Sequence, residues 1–329
     1  MKRTKLKVLS MVLALSMVLC VVPACNNSGA VFPGELFLAD SVSEVIDFEE
    51  AGIPLAAGAP INEMLMPVAS GTDTYSNNSI TIDLSNRNDG YVMIKYTGTS
   101  KSKLKVLIKG PSEVQYQYNL NTDGTYEVFP LSDGNGKYTV GVYQNTTGTK
   151  YAALVSRAIT AEMKDVNAPF LLPNQYVNYT AESEAVKKAA ELVKDCKTDL
   201  EKIAAVYDFV TTTLTYDTVK AKTVQSGYLP VVDDVMKDKK GICFDYAALM
   251  TAMLRSQGVA TKLVVGYAGE QYHAWLNTYT KEEGWVEGVI FFDGSTWKRM
   301  DPTFASSSNS KKMVEYIGDG KNYSEKYLY

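Results

Sequence analysis

Cys243 is the residue of this sequence with the clearest potential for chemistry. It follows Gly241 in the segment KKGICFDYAALM, residues 239–250. Apolar residues recur after it at helical spacing and Gly258 comes where a helix would end, which predicts that Cys243 lies in the first turn of a helix. The unpaired N–H groups and the positive dipole end of a helix N-terminus both favour the thiolate, the reactive form of cysteine. Cys243 is therefore a candidate nucleophile.

A histidine and an aspartate downstream complete a set that could perform thiol acyl transfer. His273 is the only histidine of the sequence, and Asp301 follows it in the segment WKRMDPT. A nucleophile, a base and a carboxylate that orients the base are the parts this chemistry needs. Asp293 is a second candidate for the carboxylate, although its Asp-Gly-Ser segment is typical of a turn. The alternative interpretation of Cys243 is a small buried apolar side chain, the usual state of a free cysteine.

The elements that must position these residues are predicted from periodicity. Thr180 or Ser183 caps a first helix with an apolar face over 186–193, and a second helix carries apolar residues over 203–214. A short helix at 232–239 is predicted before the Cys243 helix. Four strands are predicted after that helix, at 262–267, 272–279, 285–292 and 296–300. His273 is thus expected near the start of one strand and Asp301 just past the end of another.

Several of these segments, in this order, resemble the transglutaminase-like superfamily. The matching segments are GICFDYA (241–247), LRSQGV (254–259), GY (266–267), HAW (273–275) and MDPT (300–303), after a similar lead-in over 208–217. The resemblance extends over residues 183–304. It implies a papain-like α+β fold with a Cys–His–Asp triad. In that triad Cys243 is the nucleophile, His273 the general base and acid, and Asp301 the residue that orients His273.

The resemblance also implies a donor that stabilises the oxyanion of the reaction. The backbone N–H of Cys243 is one candidate. Tyr216 and Tyr228 are candidates for a side-chain donor, although each is also explained as a packing tyrosine. Trp275 is expected to form a wall of the site. Asp245, in the first turn of the Cys243 helix, is expected to stabilise that helix.

An all-β region is predicted before the helices. Short alternating segments, separated by glycine-containing turns, occupy residues 79–84, 91–96, 103–109, 114–120, 125–131, 137–143 and 151–163. This density of strands favours an antiparallel sandwich. The predicted fold class is therefore α+β, with a papain/transglutaminase-like C-terminal domain (170–329) preceded by an all-β sandwich-like domain (69–165). A proline-bounded linker at 169–173 predicts that the two domains are separable.

The first 24 residues have the pattern of a signal peptide. Basic residues precede an apolar run over 8–22, which is too short to span a membrane comfortably. The segment Val-Pro-Ala-Cys at 22–25 has two interpretations. Cleavage after Ala24 would release the protein, whereas a bacterial lipoprotein signal would make Cys25 the lipidated first residue. Both interpretations predict export, and a tether over residues 25–68 follows.

Composition narrows the function classes. A chain of 329 residues with 46% hydrophobic and 21% charged residues is typical of a globular protein with two domains. A net charge of −4 gives no indication of a nucleic-acid partner. Paired histidines and Cys-x-x-Cys spacing are absent from the sequence, so no metal and no cofactor are predicted. A disulfide between Cys196 and Cys243 is not expected, because it would inactivate the nucleophile.

Two functions are compatible with these observations. The first is an exported thiol enzyme that forms a thioester at Cys243 from an amide of a protein or peptide, cell-wall peptide included. With water as acceptor it is a protease or amidase, and with a lysine amine it is a cross-linker; hydrolysis is favoured. Lipidation of Cys25 would also make the membrane a partner. The second function is a non-catalytic cell-surface binding protein that keeps the fold, against which the intact triad argues.

Overall fold

The computed structural model describes residues 64–281, 284–286, 289–292, 297–300 and 323–329. The predicted signal peptide, the lipidation candidate Cys25 and nearly all of the predicted tether lie outside these residues. Asp301 and Asp293, the two candidates for the third triad member, also lie outside them. No helix among the described elements is both long enough and apolar enough to cross a membrane.

The N-terminal region consists of eight strands in two four-stranded antiparallel sheets. The strands are β1 (Thr74–Ser76), β2 (Ile80–Asp83), β3 (Tyr91–Tyr96), β4 (Leu104–Lys109), β5 (Gln115–Leu120), β6 (Glu127–Pro130), β7 (Gly136–Thr147) and β8 (Lys150–Ala161). One sheet has the order β1-β2-β3-β6 and the other β5-β4-β7-β8. All seven predicted strands are confirmed, and β1 is an additional one. The sandwich-like region therefore follows from local sequence patterns.

Alternation along strands such as β4 and β5 contributes to the core between the two sheets. In β5, Tyr116 and Tyr118 are buried while Gln115 and Gln117 are exposed. Tyr118 pairs in register with Val106 of β4, which is also buried. Period-two alternation puts these side chains on one face, where apolar residues of both sheets join a single hydrophobic cluster.

Helices and two short strands lead to the candidate nucleophile. They are α1 (Glu184–Val193), α2 (Asp199–Thr213), β9 (Thr215–Tyr216), α3 (Thr218–Thr223), α4 (Val232–Asp238), β10 (Lys240–Gly241) and α5 (Cys243–Ser256). Helix α5 ends as predicted just before Gly258, which has φ +77°. The N–H groups of Gly258 and Val259 donate to the carbonyls of Arg255 and Leu254, both at 3.0 Å, as in a Schellman motif. The predicted helices are confirmed, whereas α3 was not anticipated.

The C-terminal sheet has four strands, which are β11 (Thr261–Ala268), β12 (Gln271–Thr280), β13 (Gly284–Val286) and β16 (Tyr323–Leu328). Their order in the sheet is β13-β12-β11-β16. Two further strands, β14 (Val289–Phe292) and β15 (Trp297–Met300), pair with each other in a separate antiparallel ladder. The prediction of one strand over 285–292 is wrong. The chain leaves its ladder with β12 after Val286 and starts a new one with β15 at Val289. Glu287 and Gly288, which interrupt the apolar residues of this segment, are the sequence signal that this prediction overlooked.

The two regions share one hydrophobic cluster, and Leu172 of the predicted linker belongs to a second, smaller cluster with Tyr91 and Met93 of β3. Pro169, Phe170 and Leu172 are buried. The side chain of Gln175 exchanges hydrogen bonds of 2.9 and 3.0 Å with the main chain of Asn119 in β5. The ring of Tyr118 meets that of Tyr329 edge-on at 5.9 Å. These contacts argue against the predicted separability of the two regions.

Candidate active site

Cys243 is the first residue of α5, as the sequence predicts, and its side chain is half-buried. The residue before it, Ile242, has an extended backbone with φ −98° and ψ 177° and serves as the N-cap. An isoleucine side chain cannot accept hydrogen bonds from the first-turn N–H groups. The thiol of Cys243 therefore lies at a helix N-terminus whose positive end is not covered by an N-cap side chain.

The two-residue strands β9 and β10 fix the approach of the chain to Cys243. They pair in parallel, with Gly241 opposite Tyr216. The N–H of Asp217 donates to the carbonyl of Gly241 at 2.8 Å, and that of Thr215 to the carbonyl of Lys239 at 3.0 Å. Gly241 has no room for a side chain, because a Cβ there would lie 2.5 Å from the Cβ of Asp245. Only glycine lets β10 pass this close to α5.

Asp245 is a buried carboxylate that ties the start of α5 to two other segments. It accepts hydrogen bonds from the N–H of Ile242 at 2.8 Å, the Nζ of Lys220 at 2.8 Å and the hydroxyl of Tyr228 at 2.6 Å. Burial, followed by the hydrogen bond to Asp245, raises the pKa of Tyr228 far above its usual range. Tyr228 therefore keeps its proton. The helix-stabilising role expected of Asp245 is confirmed, and Lys220 is a partner that the sequence did not indicate.

His273 lies on β12 at the end of the sheet that adjoins Cys243. Helix α5 packs against β11 and β12. After α5 the chain turns at residues 257–260, and β11 runs back along the helix. A helix of 14 residues is about 21 Å long and a strand of eight about 26 Å, so the β11–β12 turn returns to the N-terminus of α5. His273, near the start of β12, is therefore at the same end as Cys243.

The buried imidazole of His273 is surrounded by aromatic rings. It lies nearly parallel to Trp275, with centroids 6.2 Å apart, and 6.4 Å from the ring of Tyr323. Because side chains alternate along β12, His273 and Trp275 share one face, and Ala274 on the other face joins the core cluster that contains α5. The thiol–imidazole pair and the wall role of Trp275 both stay predictions.

Tyr272 precedes His273 on β12 and is an exposed aromatic residue. It is 51% exposed and meets Tyr267, itself 40% exposed, edge-on at 5.5 Å. Partial burial raises the pKa of Tyr272 to about 12, and the neighbouring Tyr327, Tyr267, Tyr176 and Cys243 contribute to the rise. Cys243 is therefore within electrostatic reach of this exposed pair of tyrosines.

The structure places both side-chain candidates for the oxyanion donor. The single hydroxyl proton of Tyr228 goes to Asp245, at 2.6 Å, which argues against Tyr228 for this role. Tyr216 is half-buried and stands in register with Gly241, two residues before Cys243. The donor role of Tyr216 stays a prediction that rests on this position.

The described residues contain one other cysteine, Cys196. Cys196 and Cys243 are both free thiols. Burial raises the pKa of Cys196. Within the described ranges, no three His, Cys, Asp or Glu side chains come together in a way that could hold a metal ion. Cys243 is thus distinguished from Cys196 by its position at a helix N-terminus.

Comparison with known proteins gives a family match for the part of the chain that contains Cys243 and His273. Residues 186–288 match the family model of the transglutaminase-like superfamily. The chain is 26% identical over 117 residues to the uncharacterised protein YebA of Bacillus subtilis, and 28% identical over 131 residues to the human kyphoscoliosis peptidase. These matches cover 30% and 36% of this chain but only 16% and 19% of the two relatives. The chain therefore spans less than a fifth of the length of either relative.

Solved structures give a distant similarity. The periplasmic domain of TgpA from Pseudomonas aeruginosa aligns with 78% of this chain and 80% of its own, at 16% identity and a TM-score of 0.34. Red sea bream transglutaminase aligns with 71% of this chain and 55% of its own, at 12% identity and a TM-score of 0.27. At such TM-scores the assignment rests on the sequence match. Residues 186–288 of this chain form a domain of the transglutaminase-like superfamily, with Cys243 as the first residue of its central helix.

Proposed function

We propose that this chain is a thiol acyl-transfer enzyme that cleaves amide bonds of proteins or peptides through a thioester at Cys243. The observation that carries the proposal is the position of Cys243. It is a half-exposed thiol at the N-terminus of the central helix of a transglutaminase-like domain, at the sheet end where the only histidine lies.

The proposed reaction has two steps. His273 takes the proton of Cys243, and the thiolate attacks the amide carbonyl, whose oxygen is stabilised by the N–H of Cys243 and by Tyr216. The C–N bond breaks, the imidazolium gives its proton to the leaving amine or ammonia, and a thioester remains. Asp301 holds the imidazole in the orientation that both transfers need.

The acceptor in the second step decides the type of enzyme. Water, deprotonated by His273, releases a carboxylic acid and makes the enzyme a protease or amidase. A lysine amine instead forms a new amide and makes it a cross-linker. We favour hydrolysis, and the half-exposed position of Cys243 supports it because water can reach the thioester there.

The proposal also includes the location of the enzyme. The basic and apolar pattern of residues 1–24 supports export. The protein is then either secreted or held at the cell surface by a lipid on Cys25. Proteins or peptides outside the cytoplasm, cell-wall peptide included, are the proposed substrates.

Mass spectrometry of a glutamine-containing peptide tests the activity. The full chain is incubated with the peptide, with and without a primary amine. We expect chain cleavage or a gain of about 1 Da from deamidation (roughly one NH replaced by O) by the thioester route, and little amine incorporation. Cys243→Ala should abolish every product, while the matched control Cys196→Ala should not. Products that persist in a folded Cys243→Ala variant would refute the proposal.

A further inference from the structure

An ion pair with a buried carboxylate lies in the first turn of the helix that begins at the candidate nucleophile. Lys220, Tyr228 and Asp245 form what we call the Asp245 cluster. Asp245 is 0% exposed, and the Nζ of Lys220 lies 2.8 Å from its Oδ2 and 2.6 Å from the hydroxyl of Tyr228. Lys220 comes from α3 and Tyr228 from the loop before α4, so the cluster joins three separate segments.

We propose that Lys220 is a positioning residue that balances the charge of Asp245 and thereby sets the pH range in which the Cys243 thiolate forms. The inference rests on the proposed thiol chemistry at Cys243 and deepens it. Asp245 anchors the N-cap amide of Ile242 and so fixes the first turn of α5. Its negative charge, two residues from the thiol, would by itself oppose a thiolate, and the ammonium of Lys220 offsets that charge.

The hydrogen-bond pattern shows that Lys220 is built into this position. Its own backbone N–H donates to the carboxylate of Asp217 at 2.8 Å, which caps α3 and directs the lysine towards α5. Its Nζ also lies 4.3 Å from the centroid of the Tyr228 ring, within the range of a cation–π contact. A lysine on a solvated helix face does not need one buried acceptor, one half-buried acceptor and a ring. The side chain is only 29% exposed, so the pair is less screened than a surface ion pair.

The other charged or titratable groups near Cys243 leave this balance unchanged. Lys240 on β10 already pairs with Asp217, at 3.5 Å and with about half of its side chain exposed. Tyr228 and Tyr272 keep their protons at neutral pH, since their pKa values are raised. Among the described residues, the phenol of Tyr216 on β9 and the imidazole of His273 on β12 are further titratable groups on the elements around the thiol, and the proposed triad would add Asp301. Among these groups, Asp245 is the buried carboxylate of the first turn, and Lys220 is its cation.

The pH dependence of alkylation at Cys243 tests the proposal. The intact chain and its variants react with iodoacetamide between pH 5 and 10 (about the usable range for a thiol of ordinary pKa), and modification of Cys243 and Cys196 is quantified by peptide mass spectrometry. Lys220→Gln should move the midpoint of the Cys243 profile up by about one pH unit, since it leaves a carboxylate uncompensated. Lys220→Arg keeps the charge and should restore most of the original midpoint. Cys196 is the internal control and should not shift.

Two further variants separate charge from structure. Asp245→Asn leaves an uncompensated ammonium and should move the midpoint down, in the direction opposite to Lys220→Gln. The double variant Lys220→Gln/Asp245→Asn removes both charges and should return the midpoint towards that of the unmodified chain. A residue with only a structural role would produce no such opposite shifts and no restoration, and the double variant gives this answer even if Lys220→Gln alone folds poorly.

The outcomes also distinguish this proposal from the proposed function. Preferential labelling of Cys243 over Cys196 together with an unchanged midpoint in folded Lys220→Gln overturns the role of Lys220 and leaves the thiol chemistry intact. Equal labelling of Cys243 and Cys196 in the unmodified chain counts against the thiol chemistry itself. A midpoint that moves in the same direction in Lys220→Gln and Asp245→Asn also overturns the charge balance.

Discussion

Gly241 lies against Asp245 so closely that no side chain fits between them. An added Cβ at Gly241 would be 2.5 Å from the Cβ of Asp245 and 2.9 Å from its Oδ2. Asp245 cannot retreat, because its carboxylate holds Ile242, Lys220 and Tyr228 at the same time. The glycine two residues before Cys243 is therefore required by the buried carboxylate two residues after it.

Gly241→Ala should impair both stability and chemistry. The overlap is with a fixed side chain in a packed interior, so we expect a loss of about 1–3 kcal/mol in the free energy of unfolding. Because the strain falls on the first turn of α5, the rate of Cys243 alkylation should fall as well. Urea unfolding and alkylation kinetics measure the two effects.

A glycine remote from the site is the control for this prediction. Gly148→Ala, in the β7–β8 turn, adds a Cβ with nothing within 4 Å but at a φ of +56°. It should lower stability by about 1 kcal/mol through backbone strain alone and leave alkylation of Cys243 unchanged. A Gly241→Ala protein with unaltered stability and alkylation would show that α5 can shift to make room.

Local patterns in the sequence were sufficient to predict most of the helices and strands and the position of Cys243 in the first turn of a helix. The alternation in residues 115–120 and the apolar spacing of residues 243–256 each recur within a few residues, and both elements formed as predicted. Gly258 was interpretable for the same reason, since a helix C-cap depends on a few neighbouring groups. The family domain over 186–288 was likewise recognisable from short motifs.

Long-range pairings could not be predicted in this way. Lys220 reaches Asp245 across 25 positions of the chain, and no periodicity marks that contact. The strand β16 pairs with β11 although more than 50 residues separate them in the sequence. A pairing over that separation depends on the overall topology and leaves no local pattern. The shared core of the two regions escaped prediction because a proline-bounded segment with few polar groups looks the same in sequence whether it is a linker or is buried.

The shared core leads us to expect one unfolding transition for the whole described structure. Tyr118 of the β-rich region packs on Tyr176 and Tyr329, and its hydroxyl has no hydrogen-bond partner among the described residues. Tyr118→Ala should lower the free energy of unfolding by about 3 kcal/mol. The matched control Tyr118→Phe keeps the ring and should be neutral or stabilising. Calorimetry that resolves two transitions, with only one displaced by Tyr118→Ala, would show independent domains.

The exposed pair Tyr267 and Tyr272 should contribute to substrate binding. Both rings lie at the β11–β12 turn, and Tyr272 is within electrostatic reach of Cys243. Exposed aromatic rings within electrostatic reach of a reacting thiol offer a contact to an apolar part of a peptide. Tyr272→Ala should raise KM by about threefold to tenfold, the weight of one aromatic contact, with a smaller change in kcat. Tyr151→Ala, on β8, is the control, and an equal effect of both variants would remove Tyr272 from the binding site.

The last prediction is that Cys243, His273 and Asp301 act as one unit. His273 is the only histidine of the chain, so no other imidazole can take over as base. Histidine is the side chain whose charge changes near neutral pH, which suits it to proton transfer there. Cys243→Ala and His273→Ala should each abolish turnover. Asp301→Asn should lower turnover by a factor on the order of 10⁴ while the protein stays folded, because the imidazole would adopt the wrong tautomer.

Non-additivity is the signature that distinguishes a unit from three independent contributions. The double variant His273→Ala/Asp301→Asn should be little worse than His273→Ala, since an orienting carboxylate has nothing to orient once the imidazole is gone. Turnover is measured by release of the leaving amine, with circular dichroism as the folding control. Near-normal turnover in folded Asp301→Asn would mean that Asp293 orients the imidazole, or that Cys243 and His273 act without a carboxylate. Near-normal turnover in folded His273→Ala would overturn the enzymatic assignment, because no second imidazole exists in this chain to explain it.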